Sequence, residues 1–104
     1  MIIEYATRRL EKILSEERLI VREYGKNARN VMIRMSELSA ATSLADIPIV
    51  PPPRRHKLSG IYNDCWGVDI SKNYRIVIQP VGAFDINELE SITSVRIVAI
   101  EDYH

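Results

Sequence analysis

Leu10, Ile13, Leu14, Ile20, Val21 and Tyr24 recur at steps of three and four, the spacing of one helical face. Ahead of them, Ile2-Ile3-Glu4-Tyr5 predicts a short β-strand. Ser15-Glu16-Glu17 can restart a helix, with serine as N-cap and acids in the first turn, so one helix or two satisfies the pattern. Gly25 supplies the C-terminal stop. The next helix is predicted over about 27–41, with Ala28, Val31, Met32, Met35 and Leu38 on its buried face. Arg29, Arg34 and Glu37 fall largely outside that stripe, and the methionines read as core filling.

The pattern changes after Ala41. Thr42 to Ile47 reads as a turn of helix, and Pro48 with Pro51-Pro52-Pro53 enforces an extended crossing from helices to sheet. Strands are predicted near 56–62, 65–71 and 74–80, with Asn63-Asp64 and Ser71-Lys72-Asn73 as turns. Gly82 opens a loop, 85–92 can form a helical turn, and a last strand covers 94–102. The fold class is α+β: an N-terminal strand and two helices packed on a curved, mainly antiparallel four- to five-stranded sheet. One sheet face and the sheet edges stay free for a partner.

At 104 residues a single domain spanning 1–104 is expected. No apolar run approaches the roughly 20 residues of a membrane span, and the start lacks the pattern of a secretory signal. Cys65 is the one cysteine, so no internal disulfide forms and a cytoplasmic location is expected; beside Trp66 it reads as a packing residue. Formal charge is zero, which argues against a nucleic-acid partner, but its distribution is uneven. Residues 1–57 hold 11 Lys+Arg against 7 Asp+Glu, and residues 58–104 hold 3 against 7. One basic and one acidic surface is a possible outcome of such a chain.

The final apolar run, 95–100, delivers Glu101-Asp102-Tyr103-His104. The only other histidine, His56, lies in Arg54-Arg55-His56-Lys57 after the proline run. If strand pairing unites the two segments, the combination suits cleavage of a phosphodiester. RNA cleavage needs a base for the 2′-hydroxyl, an acid for the departing 5′-oxygen and cations for the charge on phosphorus. His56 and His104 fit the proton roles. Asp102 can orient a histidine or act as base, and Tyr103 can exchange a proton or stack on a base. Arg75 is the natural phosphate clamp, with Arg54, Arg55 and Lys57 adding positioning charge. Each residue taken singly also has a plainer reading: a solvated basic turn, a surface ion pair for Arg75, a packed tyrosine, a strand-end carboxylate.

The stretches Leu38–Leu44 and Pro52–Gly60, the segment Trp66–Arg75 and the closing Glu-Asp-Tyr-His together resemble HigB-type killer toxins of the RelE superfamily. The resemblance implies the toxin of a type II toxin–antitoxin pair, a ribosome-dependent mRNA endoribonuclease working at the rRNA decoding region and inhibiting translation. It assigns His56, Asp102, Tyr103 and His104 to catalysis, and Lys57 and Arg75 to substrate phosphate. It implies no metal or organic cofactor and no membrane. The expected protein partner is a cognate helix-turn-helix antitoxin, through which alone DNA would be contacted. The chain departs from the family in its neutral charge, in Asp69 where a basic residue is usual, and in a longer acidic segment over 80–93. The competing readings are a non-enzymatic, ParE-like gyrase poison and a degenerate or regulatory member of such a pair. No helix-turn-helix pattern supports a DNA-binding role for this chain itself.

Overall fold

A computed structural model describes residues 1–103. Strand β1 (Ile2–Tyr5) leads through Thr7, whose side chain accepts a hydrogen bond from the Leu10 amide, into α1 (Arg8–Leu14). Two helices, not one, satisfy the first periodic stretch. The Ser15 hydroxyl turns back to donate to the Lys12 carbonyl, 2.8 Å away, and so does not cap forward. Helix α2 (Glu17–Tyr24) starts without a side-chain cap and ends at Gly25, whose φ of 51° only glycine adopts easily.

Helix α3 (Ala28–Ala40) carries the core stripe as its periodicity requires, with Val31 and Leu38 fully buried and Met32 and Met35 packed at its margin. Arg34 corrects the pattern reading, because it is buried rather than outside the stripe. Its Nε donates to the Asp69 carbonyl at 3.0 Å and its Nη1 to Glu37 at 2.9 Å, so the head is satisfied while the stem packs. Asn30 Nδ2 donates to the Ile70 carbonyl, which gives α3 a second tie to the same strand.

A short turn (Leu44–Asp46) and the proline connector lead to β2 (His56–Lys57). This strand is much shorter than the predicted 56–62: Gly60, at φ 68°, opens a turn over Gly60–Tyr62. Strands β3 (Trp66–Ser71), β4 (Tyr74–Pro80) and β5 (Ser94–Asp102) follow. Of the segment 85–92, only Leu89–Ser91 makes a helical turn.

The sheet order is β1-β5-β4-β3-β2, with β1 parallel to β5 and every other pair antiparallel. The fold is α+β, as expected from the sequence. The helices cover one face, where Trp66, Val68, Ile70, Ile76, Ile78, Val95 and Ile97 form the core with α3. A smaller apolar group of Leu58, Cys65 and Val77 lies on the other face. Among the described residues no helix is long and apolar enough to cross a membrane.

Candidate active site

Sheet alternation decides which side chains share the face away from the helices. With Val68 and Ile70 inward, β3 turns Gly67 and Asp69 outward; with Ile76 and Ile78 inward, β4 turns Arg75 and Val77 outward. Asp69, Arg75 and Glu101 pair across three strands as one row, and Gly67, Val77 and Ala99 make the next, ~7 Å along the strands.

Strand β5 reaches this face by an irregularity. Val95 and Ile97 are fully buried, so strict alternation would take 99, 101 and 103 into the core as well. The pairing instead steps from Val77↔Ala99 to Ile78↔Ile97, leaving Val98 as the extra residue of a bulge. Beyond it the parity reverses, so Glu101 and Tyr103 join the open face and Asp102 turns to the helix side.

His56 pairs with Gly67 and lays its ring on it: a Cβ there would sit 2.9 Å from both Cε1 and Nε2. Its Nδ1 is 2.7 Å from the Arg54 carbonyl. A carbonyl only accepts, so Nδ1 carries the proton and Nε2 of the neutral ring holds the lone pair. Arg54 itself sits at φ 41°, a left-handed conformation uncommon for a residue with a side chain. It is held there by Asp69, through Nε to Oδ2 at 2.6 Å and Nη2 to Oδ1 at 3.2 Å. The Asp69 hydrogen bonds foremost, and then the Tyr103 hydroxyl at 3.3 Å, push the Arg54 pKa up.

Tyr103 joins the two arginines. Its hydroxyl lies 3.3 Å from Asp69 Oδ1 and 3.2 Å from the Lys72 carbonyl, and the Arg75 guanidinium rests 4.6 Å from its ring centre. The Tyr62 ring is 5.7 Å from the same guanidinium. Arg75 Nη2 donates to Glu101 at 3.1 Å, and the Tyr62 hydroxyl donates to the other Glu101 oxygen at 2.8 Å. That bond, and burial after it, raise the Tyr62 pKa. Arg75 Nε is buried without a hydrogen-bond partner among the described residues.

Thus Arg54, Arg75 and Tyr103 contact one another or share Asp69, and His56 lies on the same sheet face, whereas three other sequence-predicted residues do not join them. Lys57 alternates to the opposite face, its ammonium 5.0 Å from the Trp66 ring centre and donating to the Leu58 and Asn63 carbonyls. Arg55 donates through Nε to the Ile47 carbonyl at 2.7 Å, and burial lowers its pKa. Asp102 pairs with Tyr74 and lines a cleft of about 410 Å³ with Lys26, Lys72 and Asn73. His104 lies outside the described residues.

Asp69, Glu101 and Tyr62 belong to the cluster although pattern reading did not select them. A signal existed for Asp69, since a hairpin turning at Ser71-Lys72-Asn73 places 69 opposite 75. Tyr62 had none, because its approach depends on the turn after β2. The cluster can move a proton at His56 Nε2 and bind oxyanions at two guanidiniums, each of which meets a carboxylate of the same chain. Among the described residues no group of three or more His, Cys, Asp or Glu is arranged to hold a metal ion.

No protein-family model matches the chain, and no curated protein matches it. Solved structures do. The YoeB/ParE toxin from Agrobacterium tumefaciens superposes with a TM-score of 0.60 at 10% identity, over 100% of this chain and 99% of that one. A chain of the YoeB–YefM complex from Staphylococcus aureus does so with a TM-score of 0.55 at 13% identity, over 98% and 94%. At these identities the likeness establishes a common fold across nearly the whole of both chains.

Proposed function

We propose that this chain is the toxin of a type II toxin–antitoxin pair, a single-domain, HigB-like endoribonuclease that cuts mRNA on the ribosome. The observation that carries the reading is His56 on Gly67, its tautomer set by the Arg54 carbonyl, on the same open face as Arg75 and Tyr103. The fold shared with a YoeB/ParE toxin and with a chain of a YoeB–YefM complex supports it, and the latter favours a dedicated protein partner, here a cognate antitoxin.

In this mechanism His56 Nε2 takes the proton of the 2′-hydroxyl, whose oxygen attacks the adjacent phosphorus. Arg75 and Arg54 stabilise the charge gathering on the phosphoryl oxygens. The bond to the 5′-oxygen breaks as that oxygen gains a proton from Tyr103 or His104, leaving a 2′,3′-cyclic phosphate and a 5′-hydroxyl. The scheme asks for no metal or organic cofactor and operates in the cytoplasm.

The test is to map mRNA 5′ ends in cells producing the protein without an antitoxin, beside cells producing His56→Ala or Arg75→Ala. New cuts within translated messages, lost in both variants, are expected. Growth arrest without cuts would replace the nuclease by a binding poison, and neither arrest nor cuts would leave a regulatory member of the fold.

A further inference from the structure

Both arginines of the open face are already engaged by carboxylates of the same chain, and the two engagements differ in quality. Arg54 presents Nε and Nη2 to both oxygens of Asp69, a fork-to-fork arrangement. Arg75 presents only Nη2 to Glu101, while the neighbouring Nε–H is buried and unpartnered among the described residues. A buried donor without an acceptor is costly, and the defect sits on the guanidinium edge that binds two oxygens of one anion. Tyr62 and Tyr103 flank the same guanidinium, their ring centres 5.7 and 4.6 Å from it.

We infer that Glu101 and Asp69 are built-in competitors of the substrate phosphodiester, Glu101 foremost. A phosphodiester seated on the Nε–Nη2 edge of Arg75 satisfies both donors, whereas Glu101 satisfies one. Binding is then an exchange in which Glu101 leaves Nη2 while keeping the Tyr62 hydroxyl as a donor to its other oxygen. Asp69 competes for Arg54 more firmly, through two hydrogen bonds, beside the Tyr103 hydroxyl. The site binds weakly to isolated anions and strongly only to a chain whose further phosphates help displace the carboxylates. The inference rests on reading the open face as an RNA-phosphate site, and it concerns binding rather than cleavage.

The probe is a fluorescein-labelled 2′-O-methyl RNA oligonucleotide, which lacks the attacking hydroxyl and cannot be cut; its Kd is read by anisotropy at several salt concentrations. Glu101→Gln is expected to tighten binding about three- to tenfold, the scale of removing one partly exposed competing charge. Its salt dependence should steepen by about one phosphate contact. Asp69→Asn should shift Kd in the same direction. Glu90→Gln, an exposed acid in the 80–93 segment, should change it less than about twofold. In an Arg75→Lys background, which lacks the two-pronged edge, the Glu101→Gln gain should vanish.

Unchanged or weaker binding by a folded Glu101→Gln protein, a gain of the same size from Glu90→Gln, or no binding by any variant would each overturn the inference. The nuclease reading fails separately. Absent mRNA cuts with an intact Glu101→Gln gain defeat the nuclease alone. Cuts that depend on His56 without such a gain defeat the competitor alone.

Discussion

Gly67→Ala separates the stability of the fold from the geometry of the site. The added methyl would stand 2.9 Å from His56 Cε1 and Nε2 and 3.2 Å from Leu58 Cδ2. Carbon contacts are comfortable at about 3.5 Å and beyond, so the imidazole must move by ~0.6 Å or more. It has little room to do so, because Nδ1 is 2.7 Å from the Arg54 carbonyl and that displacement brings the bond to the edge of hydrogen-bonding range. Leu58 yields more easily, its contact being the end of a flexible side chain. On the stability side, losing one hydrogen bond costs ~1 kcal/mol, and replacing a strand glycine by alanine returns ~0.5–1 kcal/mol of chain entropy. The two nearly cancel. Thermal melts should therefore place Gly67→Ala within about 1 kcal/mol of the parent, while the proposed mRNA cleavage should fall by ~10–100-fold, the usual penalty for sub-ångström to ångström misplacement of a reacting group. Nitrogen-15 NMR of the imidazole should show Nδ1 no longer fixed as the protonated nitrogen. A variant that keeps parental cleavage and the parental tautomer would refute the claim that Gly67 exists to seat His56, as would a loss of several kcal/mol in stability.

Three further outcomes test other parts of the structure. Arg54→Gly should be more stable than Arg54→Ala by ~1 kcal/mol in urea unfolding, because both lose the Asp69 pair but only glycine relieves φ 41°. Arg34→Ala should cost about 2–3 kcal/mol by stranding the Asp69 carbonyl and opening a void, whereas Arg29→Ala on the exposed side of α3 should stay within about 0.5 kcal/mol. Burial, with the Asp64 hydrogen bond behind it, pushes the Cys65 thiol from 9.0 up to about 11, and burial pushes Tyr24 from 10.0 up to about 12. The unfolded chain therefore releases these protons first as pH rises, so stability present below pH 9 falls between 9 and about 11 for Cys65 and between 10 and about 12 for Tyr24. Cys65→Ala should remove the earlier part of that fall in melts taken across alkaline pH, and a curve of unchanged shape would contradict the assignment.

Local pattern carried most of the architecture. The α3 stripe, the Gly25 stop, the hairpin at Ser71-Lys72-Asn73 and the last strand over 94–102 each follow from spacing or turn chemistry within a few residues. What escaped were features set by partners distant in sequence. Arg34 looks solvent-facing by period alone, yet a carbonyl thirty-five residues away makes its burial tolerable. The run 56–62 has no visible break before Gly60, and only the close of the sheet edge shows that β2 stops at Lys57.

The placement of the candidate site's residues was half legible for a related reason. Chemistry-bearing residues are visible in a sequence, but the face each one presents depends on parity, and parity is not local once a strand is irregular. Read with strict alternation from its buried residues Val95 and Ile97, β5 points Glu101 and Tyr103 into the core and Asp102 outward. That assignment favours Asp102 as the working acid. The single extra residue at Val98 inverts it, bringing Glu101 to Arg75 and Tyr103 between the two arginines. Nothing in Val95-Arg96-Ile97-Val98-Ala99-Ile100 marks the bulge, since either parity buries apolar residues: Ile97 and Ile100 on the helix side, Val98 and Ala99 against Leu58 and Val77. A second apolar patch on the open face is what makes the irregular register as well packed as a regular one. That patch, formed by residues 58–77 far from β5 in sequence, therefore decides which carboxylate meets the site.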